Sequence, residues 1–143
     1  MSAEAQVPAG GALEVLAVDR DPSAVSGLAI TLAPLGVLVR GASNARSALD
    51  HVALGNTTLV VLGPDLDDMA AIDLARELRT RFRASAPRIL WIAPADARRV
   101  QMVHVDDLVR RPYRAADLLV RARRLLRPSG VRRLSTAGRE SQR

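Results

Sequence analysis

The stretch that decides the fold is Leu59-Val60-Val61-Leu62-Gly63-Pro64-Asp65-Leu66-Asp67-Asp68-Met69. Its four consecutive apolar residues predict a short strand that is covered on both faces, as in a parallel sheet. The strand runs into an acidic loop, and apolar residues at helical spacing then predict a helix. A strand, a loop and a helix in this order are the repeating unit of α/β sheets.

The same alternation extends along the chain. Strands are predicted at 14–18, 37–40, 59–62, 88–93 and 108–110, with helices between them, a short one at 95–102 and the last at 114–127. Asp21 is a candidate N-cap with Pro22 in the first turn, and Ser43 or Asn44 can cap the second helix, whose predicted C-cap is Gly55. Five such units predict a doubly wound, flavodoxin-like α/β fold with a parallel sheet in the order 2-1-3-4-5.

Composition limits the classes of protein that are compatible with this chain. Its 143 residues contain no cysteine, which excludes disulfides and thiolate metal sites. No apolar run approaches the roughly 18 residues that span a bilayer. The first residues lack the order of a signal peptide. We therefore expect one cytoplasmic domain over 13–127, between a flexible N-terminus at 1–12 and a flexible arginine-rich tail at 128–143.

Charge is distributed unevenly. All 21 basic residues are arginine, and the chain carries a formal net charge of +6. Residues 1–75 contain 3 Arg and 9 acids, whereas residues 76–143 contain 18 Arg and 6 acids. The arginines near the C-terminus are either a solvated face or a footprint for an acidic partner, which includes nucleic acid, anionic lipid or protein. Arg132 and Arg133 also precede Ser135, a pattern that suits a basophilic kinase.

Sites in such sheets lie at the carboxyl ends of the strands that flank the switch point, here Asp19 and Gly63. The order of Val18-Asp19-Arg20-Asp21-Pro22, Val61-Leu62-Gly63, Pro87 to Ala93 and Arg111-Pro112-Tyr113 resembles the receiver domains of response regulators, which are CheY-like, over residues 13–127. The resemblance implies two acids after the first strand, a phosphoacceptor aspartate, a hydroxyl residue after the fourth strand and a lysine before proline. In that family the acids hold Mg²⁺, and the lysine and the hydroxyl bind the phosphoryl oxygens.

The chain departs from this pattern at all but one of these positions. Asp19 keeps the first acid, whereas the other positions hold Arg20, Gly63, Ile92 and Arg111. Phosphorylation needs a carboxylate nucleophile, and Mg²⁺ needs converging oxygen ligands. We therefore expect neither phosphotransfer nor Mg²⁺ nor another cofactor at these positions, and no enzymatic activity.

Two details of this pocket have alternative interpretations. Arg20 either fills the metal position and pairs with Asp19 or Asp21, or it points to solvent. The acids Asp65, Asp67 and Asp68 either hold a cation or form a solvated loop that caps the next helix.

Function is predicted to lie on a partner face. In receivers the fourth helix, the fifth strand and the fifth helix form the usual dimer and partner surface, and here Leu108 stands where many receivers carry a switching aromatic residue. The residues assigned to this face are Leu108, Arg110, Tyr113, Arg114, Arg121 and Arg124. Arg121 and Arg124 are expected to form an exposed stripe, and Tyr113 either joins this face or anchors the last helix.

The leading hypothesis is an atypical, stand-alone receiver that acts by phosphorylation-independent contact with a signalling or transcription protein, or with a second copy. A nucleic-acid-binding adaptor on the same fold is the alternative. A small enzyme that uses Asp19 and the acidic loop is the third, and it lacks an evident nucleophile, base or metal set.

Overall fold

The computed structural model describes residues 12–64 and 66–127, without the side chains of residues 99–101. The predictions for the N-terminus before residue 12, for Asp65 and for the tail with Ser135 lie outside these residues. Strands and helices alternate in the order β1 Glu14–Val18, α1 Pro22–Leu32, β2 Leu38–Ala42, α2 Ala45–Val52, β3 Thr57–Leu62, α3 Ala71–Phe82, β4 Arg88–Ala93, β5 Asp107–Arg110 and α4 Ala115–Leu125. Short 3₁₀ helices follow α1, α3 and β4.

The five strands form one parallel sheet in the order β2-β1-β3-β4-β5, which confirms the predicted doubly wound, flavodoxin-like topology. Its switch point lies between β1 and β3, where Val18 pairs with Leu62. Beyond that pair, the N–H of Gly63 donates a hydrogen bond to the carbonyl oxygen of Val18 at 2.8 Å. Asp19 and Gly63 therefore lie side by side at the carboxyl edge of the sheet.

The sheet is covered on both faces, which explains why β3 is continuously apolar. Leu16, Val60 and Ile89 belong to a core beneath α2 and α3. The residues that alternate with them along the same strands belong to a second core beneath α1 and α4. The single tryptophan, Trp91, lies in the first core and is 3% exposed. Its burial makes it a core residue and an internal reporter of unfolding.

The starts of α1 and α2 follow the predicted capping. The Asp21 carboxylate accepts a hydrogen bond from the N–H of Ser23 at 2.9 Å, and the Asn44 side chain accepts one from the N–H of Ser47 at 2.8 Å. Gly55 is not the residue that ends α2, which stops at Val52. It lies in the following turn with φ 90°, in the left-handed region that favours glycine.

The helix between β4 and β5 is short, as predicted, but its predicted bounds were wrong. We expected a helix at 95–102, and the structure has a 3₁₀ helix at Arg99–His104. The segment between these strands begins with a turn, in which the N–H of Ala97 donates to the carbonyl oxygen of Pro94 at 3.0 Å. Few residues then remain before β5, and 3₁₀ geometry spans more distance per residue than an α-helix. Within the described part of the chain, no helix is long and apolar enough to cross a membrane.

Candidate functional site at the carboxyl ends of β1 and β3

The Asp19 carboxylate lies over Gly63. One of its oxygens, Oδ1, accepts a hydrogen bond from the N–H of Asp21 at 2.9 Å, which forms the turn that leads into α1. The other oxygen occupies the place of a side chain at position 63, because a Cβ built on Gly63 would overlap it. The same Cβ would lie 2.9 Å from the carbonyl oxygen of Val18, a backbone atom that cannot move aside easily. Glycine at position 63 and this conformation of Asp19 therefore depend on each other.

Arg20 is tied to the acidic loop. Its Nη1 donates to Oδ1 of Asp67 at 3.0 Å, and the two side chains are 56% and 68% exposed. Asp67 is therefore the ion-pair partner of Arg20 that the structure describes, and whether Arg20 fills the metal position stays a prediction. The contact spans 47 residues and joins the start of α1 to the loop after β3.

Asp68 caps the helix that precedes it in the chain rather than the helix that follows. Its two carboxylate oxygens accept hydrogen bonds from the N–H groups of Ala45 and Arg46, at 2.9 and 3.1 Å. The bond from Ala45 lowers the pKa of Asp68, against an opposing effect of burial, and the bond from Arg46 lowers the pKa further. Helix α3 begins after Ala70 without a side-chain cap hydrogen bond, and the acid in its first turn is Asp73.

The described residues do not fit the Mg²⁺ ion that receiver chemistry uses. One oxygen of Asp19 serves the backbone turn, Asp67 is paired with Arg20, and Asp68 faces α2. Over the ranges 12–64 and 66–127, no group of three or more acids, histidines or cysteines converges as a metal site would require.

Ile92 and Arg111 meet Asp19 around a cleft. Ile92 is buried at the end of β4, where it contributes an apolar wall. The N–H of Arg111 donates to the carbonyl of Ala93 at 2.9 Å, which places this residue just beyond β5. The Arg111 side chain is exposed and has no hydrogen bond or ion pair to the rest of the described chain. The cleft has a volume of about 470 Å³ and is lined by Asp19, Arg20, Asp21, Ala24, Gly27, Leu28, Thr31, Pro64, Ile92, Arg111 and Tyr113.

Of the predicted partner face, Arg110, Arg114 and Arg124 are exposed. Arg110 donates from Nε to the carbonyl oxygen of Ala97 at 3.2 Å, which keeps its charge next to the 3₁₀ helix. Arg114 is the N-cap residue of α4 and offers no side-chain cap. Within residues 12–64 and 66–127, Arg114 and Arg124 have no acidic partner.

Leu108 and Arg121 are less exposed than the three exposed arginines of the predicted partner face, and both line a groove with Arg110. Leu108 is 6% exposed and packs into the core beneath α2 and α3. Arg121 is 33% exposed and pairs with Asp107 at 2.7 Å and with Asp117 at 3.1 Å. Burial alone lowers the pKa of Arg121, but the two carboxylates outweigh this effect and raise it. Arg121 therefore fastens α4 to β5, and it forms no exposed stripe with Arg124.

Tyr113 is partly buried and packs against the core beneath α1 and α4. It also lines the cleft near Asp19 and Arg111. Of the two interpretations of this residue, the structure favours an aromatic anchor for the last helix.

Comparison with known proteins identifies the fold. No protein-family model and no curated protein sequence matches the chain. Its structure is similar to that of the chemotaxis protein CheY4 of Vibrio cholerae, with 20% identity, a TM-score of 0.71 and coverage of 80% of this chain and 99% of that one. It is also similar to the response regulator TrrA of Thermotoga maritima in complex with Mg²⁺ and beryllofluoride. The identity is 22%, the TM-score is 0.70, and the match covers 80% of this chain and 99% of that one. A third similar structure is the receiver domain of a putative LuxO repressor protein from Vibrio parahaemolyticus. Its identity is 15%, its TM-score is 0.75, and the match covers 86% of this chain and 96% of that one.

The chain therefore has the CheY-like receiver fold. Its carboxyl edge carries Asp19 at the end of β1, Gly63 at the end of β3, Ile92 in β4 and Arg111 after β5.

Proposed function

We propose that this protein is an atypical receiver that acts by protein contact, without accepting a phosphoryl group and without enzymatic activity. The position of the Asp19 carboxylate over Gly63 carries this proposal. In the receiver pattern the residue after the third strand supplies the nucleophile, and Gly63 has no side chain to supply it. The place of that side chain is already filled.

The surrounding charges support the same proposal. Arg20 stands where the second acid of a receiver would be, and its ion pair with Asp67 holds the acidic loop. The Asp68 carboxylate holds the same loop on α2. A loop that is fixed at both points needs no phosphate or Mg²⁺ to order it. This favours one constitutive conformation in place of a switch.

The contact surface proposed for the partner is the face formed by the 3₁₀ helix Arg99–His104, β5 and α4. Its exposed cations Arg110, Arg114 and Arg124 favour an acidic signalling or transcription protein as the partner. A second copy is an alternative occupant of the same face. We place this activity in the cytoplasm, where such signalling proteins act.

The test of this proposal compares two adjacent arginines of α4. Arg124→Glu changes the proposed contact face, whereas Arg123→Glu changes a residue that lines a separate groove beside Leu13 and Leu126. We expect the wild-type chain and Arg123→Glu to capture the same partner from native lysate, and Arg124→Glu to lose it. Addition of acetyl phosphate and Mg²⁺ leaves capture unchanged. Equal capture by both variants, or capture only with acetyl phosphate, contradicts the proposal.

A nucleic-acid-binding adaptor is a second candidate. Four arginines of the last helix and its flanks have no acidic partner within the described residues: Arg114, Arg123, Arg124 and Arg127. Such cations neutralise phosphates and release counterions, which gives binding a steep dependence on salt. A gel-shift affinity that falls steeply with salt and is lost equally in both charge-reversal variants favours this candidate.

A further inference from the structure

The cleft beside Asp19 has the size of a ligand site. Its volume of about 470 Å³ lies within the range of small-molecule pockets, roughly 300–1,000 Å³. One wall is apolar and is built from Ala24, Leu28, Pro64 and Ile92. Tyr113 adds an aromatic side chain at the end towards β5. The remaining lining residues are charged, polar or glycine: Asp19, Arg20, Asp21, Gly27, Thr31 and Arg111.

The hydrogen-bonding groups of the cleft are unequally used. Each of its two carboxylates accepts one hydrogen bond from the backbone through Oδ1, Asp19 from Asp21 and Asp21 from Ser23. Its donors are open, because the Arg111 guanidinium and the hydroxyls of Thr31 and Tyr113 make no side-chain hydrogen bond with the rest of the described chain. A guanidinium that is open to the cleft and lies beside an apolar wall favours a ligand that combines hydrogen-bond acceptors with an apolar body.

We infer that this cleft binds a small organic anion, with the carboxylate or phosphate of the ligand on Arg111 and its apolar body against α1 and Tyr113. The guanidinium is a planar fork that matches two oxygens of such a group. The inference rests on the proposed function, since a cleft in which no phosphoryl transfer takes place is available to a ligand. It deepens that function by naming a class of molecule that this site can sense.

Gly27 offers a way to fill the cleft without damage to the fold. It lines the cleft on α1, and a Cβ built there meets no atom within 4 Å. Leucine is also a better helix former than glycine. Gly27→Leu is therefore expected to fold normally and to occupy space that the body of the ligand requires.

The experiment is a titration of the full ¹⁵N-labelled chain with 1-naphthoate, followed by amide chemical shifts. We expect shifts at Gly27, Thr31 and Arg111, and affinity at least about tenfold weaker for Arg111→Gln, as for loss of a charge-assisted bond. The matched control Arg114→Gln changes an exposed arginine outside the cleft and leaves the affinity unchanged. Gly27→Leu weakens binding as well.

Three comparisons make the inference falsifiable. The neutral analogue 1-naphthamide tests the anionic group, and acetate tests the apolar body. Equal binding of either one, equal binding by Arg111→Gln, or no binding of 1-naphthoate at millimolar concentrations overturns the inference. None of these results bears on partner capture by Arg124→Glu, so failure of the ligand site is distinguishable from failure of the proposed function.

Discussion

The substitution Gly63→Ala tests the packing of the pocket most sensitively. A methyl group at position 63 would overlap the Asp19 carboxylate and lie 2.9 Å from the Val18 carbonyl oxygen. Asp19 must then move, and its hydrogen bond to the N–H of Asp21 is strained or lost. Overpacking typically costs about 1–3 kcal/mol. The smaller entropy of the unfolded alanine chain offsets about 0.4–1 kcal/mol of this cost. We therefore expect a net loss of about 1–2 kcal/mol in the free energy of unfolding.

The assay is urea unfolding followed by the fluorescence of Trp91, the single tryptophan, which is 3% exposed in the folded chain. A double-mutant cycle with Asp19→Ala isolates the proposed contact. In that background the cost of Gly63→Ala should shrink by about 1 kcal/mol, because only the Val18 carbonyl still opposes the methyl group.

Gly27→Ala is the matched control for this cycle. It places the same methyl group in open space on α1, and it should stabilise the chain by up to about 1 kcal/mol. Strict additivity of Asp19→Ala and Gly63→Ala would refute the reasoning, since the carboxylate would then have no contact with position 63.

Two further predictions concern the elements that hold the site and the last helix. Asp68→Asn should lower stability at neutral pH, and the difference from the wild type should disappear on acidification below the ordinary pKa of 3.8. The sign follows from linkage, because the pKa of Asp68 is lower in the folded chain than in the unfolded chain. The carboxylate therefore stabilises the fold above its unfolded pKa, and this stability is lost as the pH falls through the folded pKa. Urea unfolding at a series of pH values measures the difference. Arg121→Gln should cost about 1 kcal/mol through the pairs with Asp107 and Asp117. The exposed Arg124→Gln should change stability by no more than about 0.5 kcal/mol, and equal costs would show that Arg121 does not fasten α4 to β5.

The sheet could be predicted because its signals are local. The continuous apolar run at Leu59–Leu62 and the alternation of strands and helices depend only on neighbouring residues. The caps at Asp21 and Asn44 are read from positions within three residues. The structure confirms each of these predictions, because the tertiary packing agrees with the local preference of the sequence.

The contacts of the acidic loop could not be predicted, because they join residues that are distant in the chain. Asp67 reaches Arg20 over 47 residues, and Asp68 reaches Ala45 over 23. Asp67 and Asp68 are adjacent and identical in type, yet one pairs with an arginine and the other caps a helix. The sequence contains no signal that distinguishes these two roles. The direction of each side chain depends on the path of the loop after β3.

The burial of Leu108 and the ion pairs of Arg121 could not be predicted for a similar reason. Alternation within a four-residue strand at the sheet edge does not tell whether a neighbouring helix covers it, and Leu108 is covered. Arg121 was treated as an exposed charge because only Asp117 lies near it in the sequence. Its closer partner Asp107 is brought beside it by the packing of α4 on β5.

The most direct test of the central claim is the response of the chain to beryllofluoride and Mg²⁺, followed by amide chemical shifts. We expect no saturable, Mg²⁺-dependent shift at Asp19 or Gly63, because the acceptor is a glycine and its place is filled by Asp19. Saturable, Mg²⁺-dependent shifts at the ends of β1 and β3 would contradict it and would show a pocket that still performs receiver chemistry.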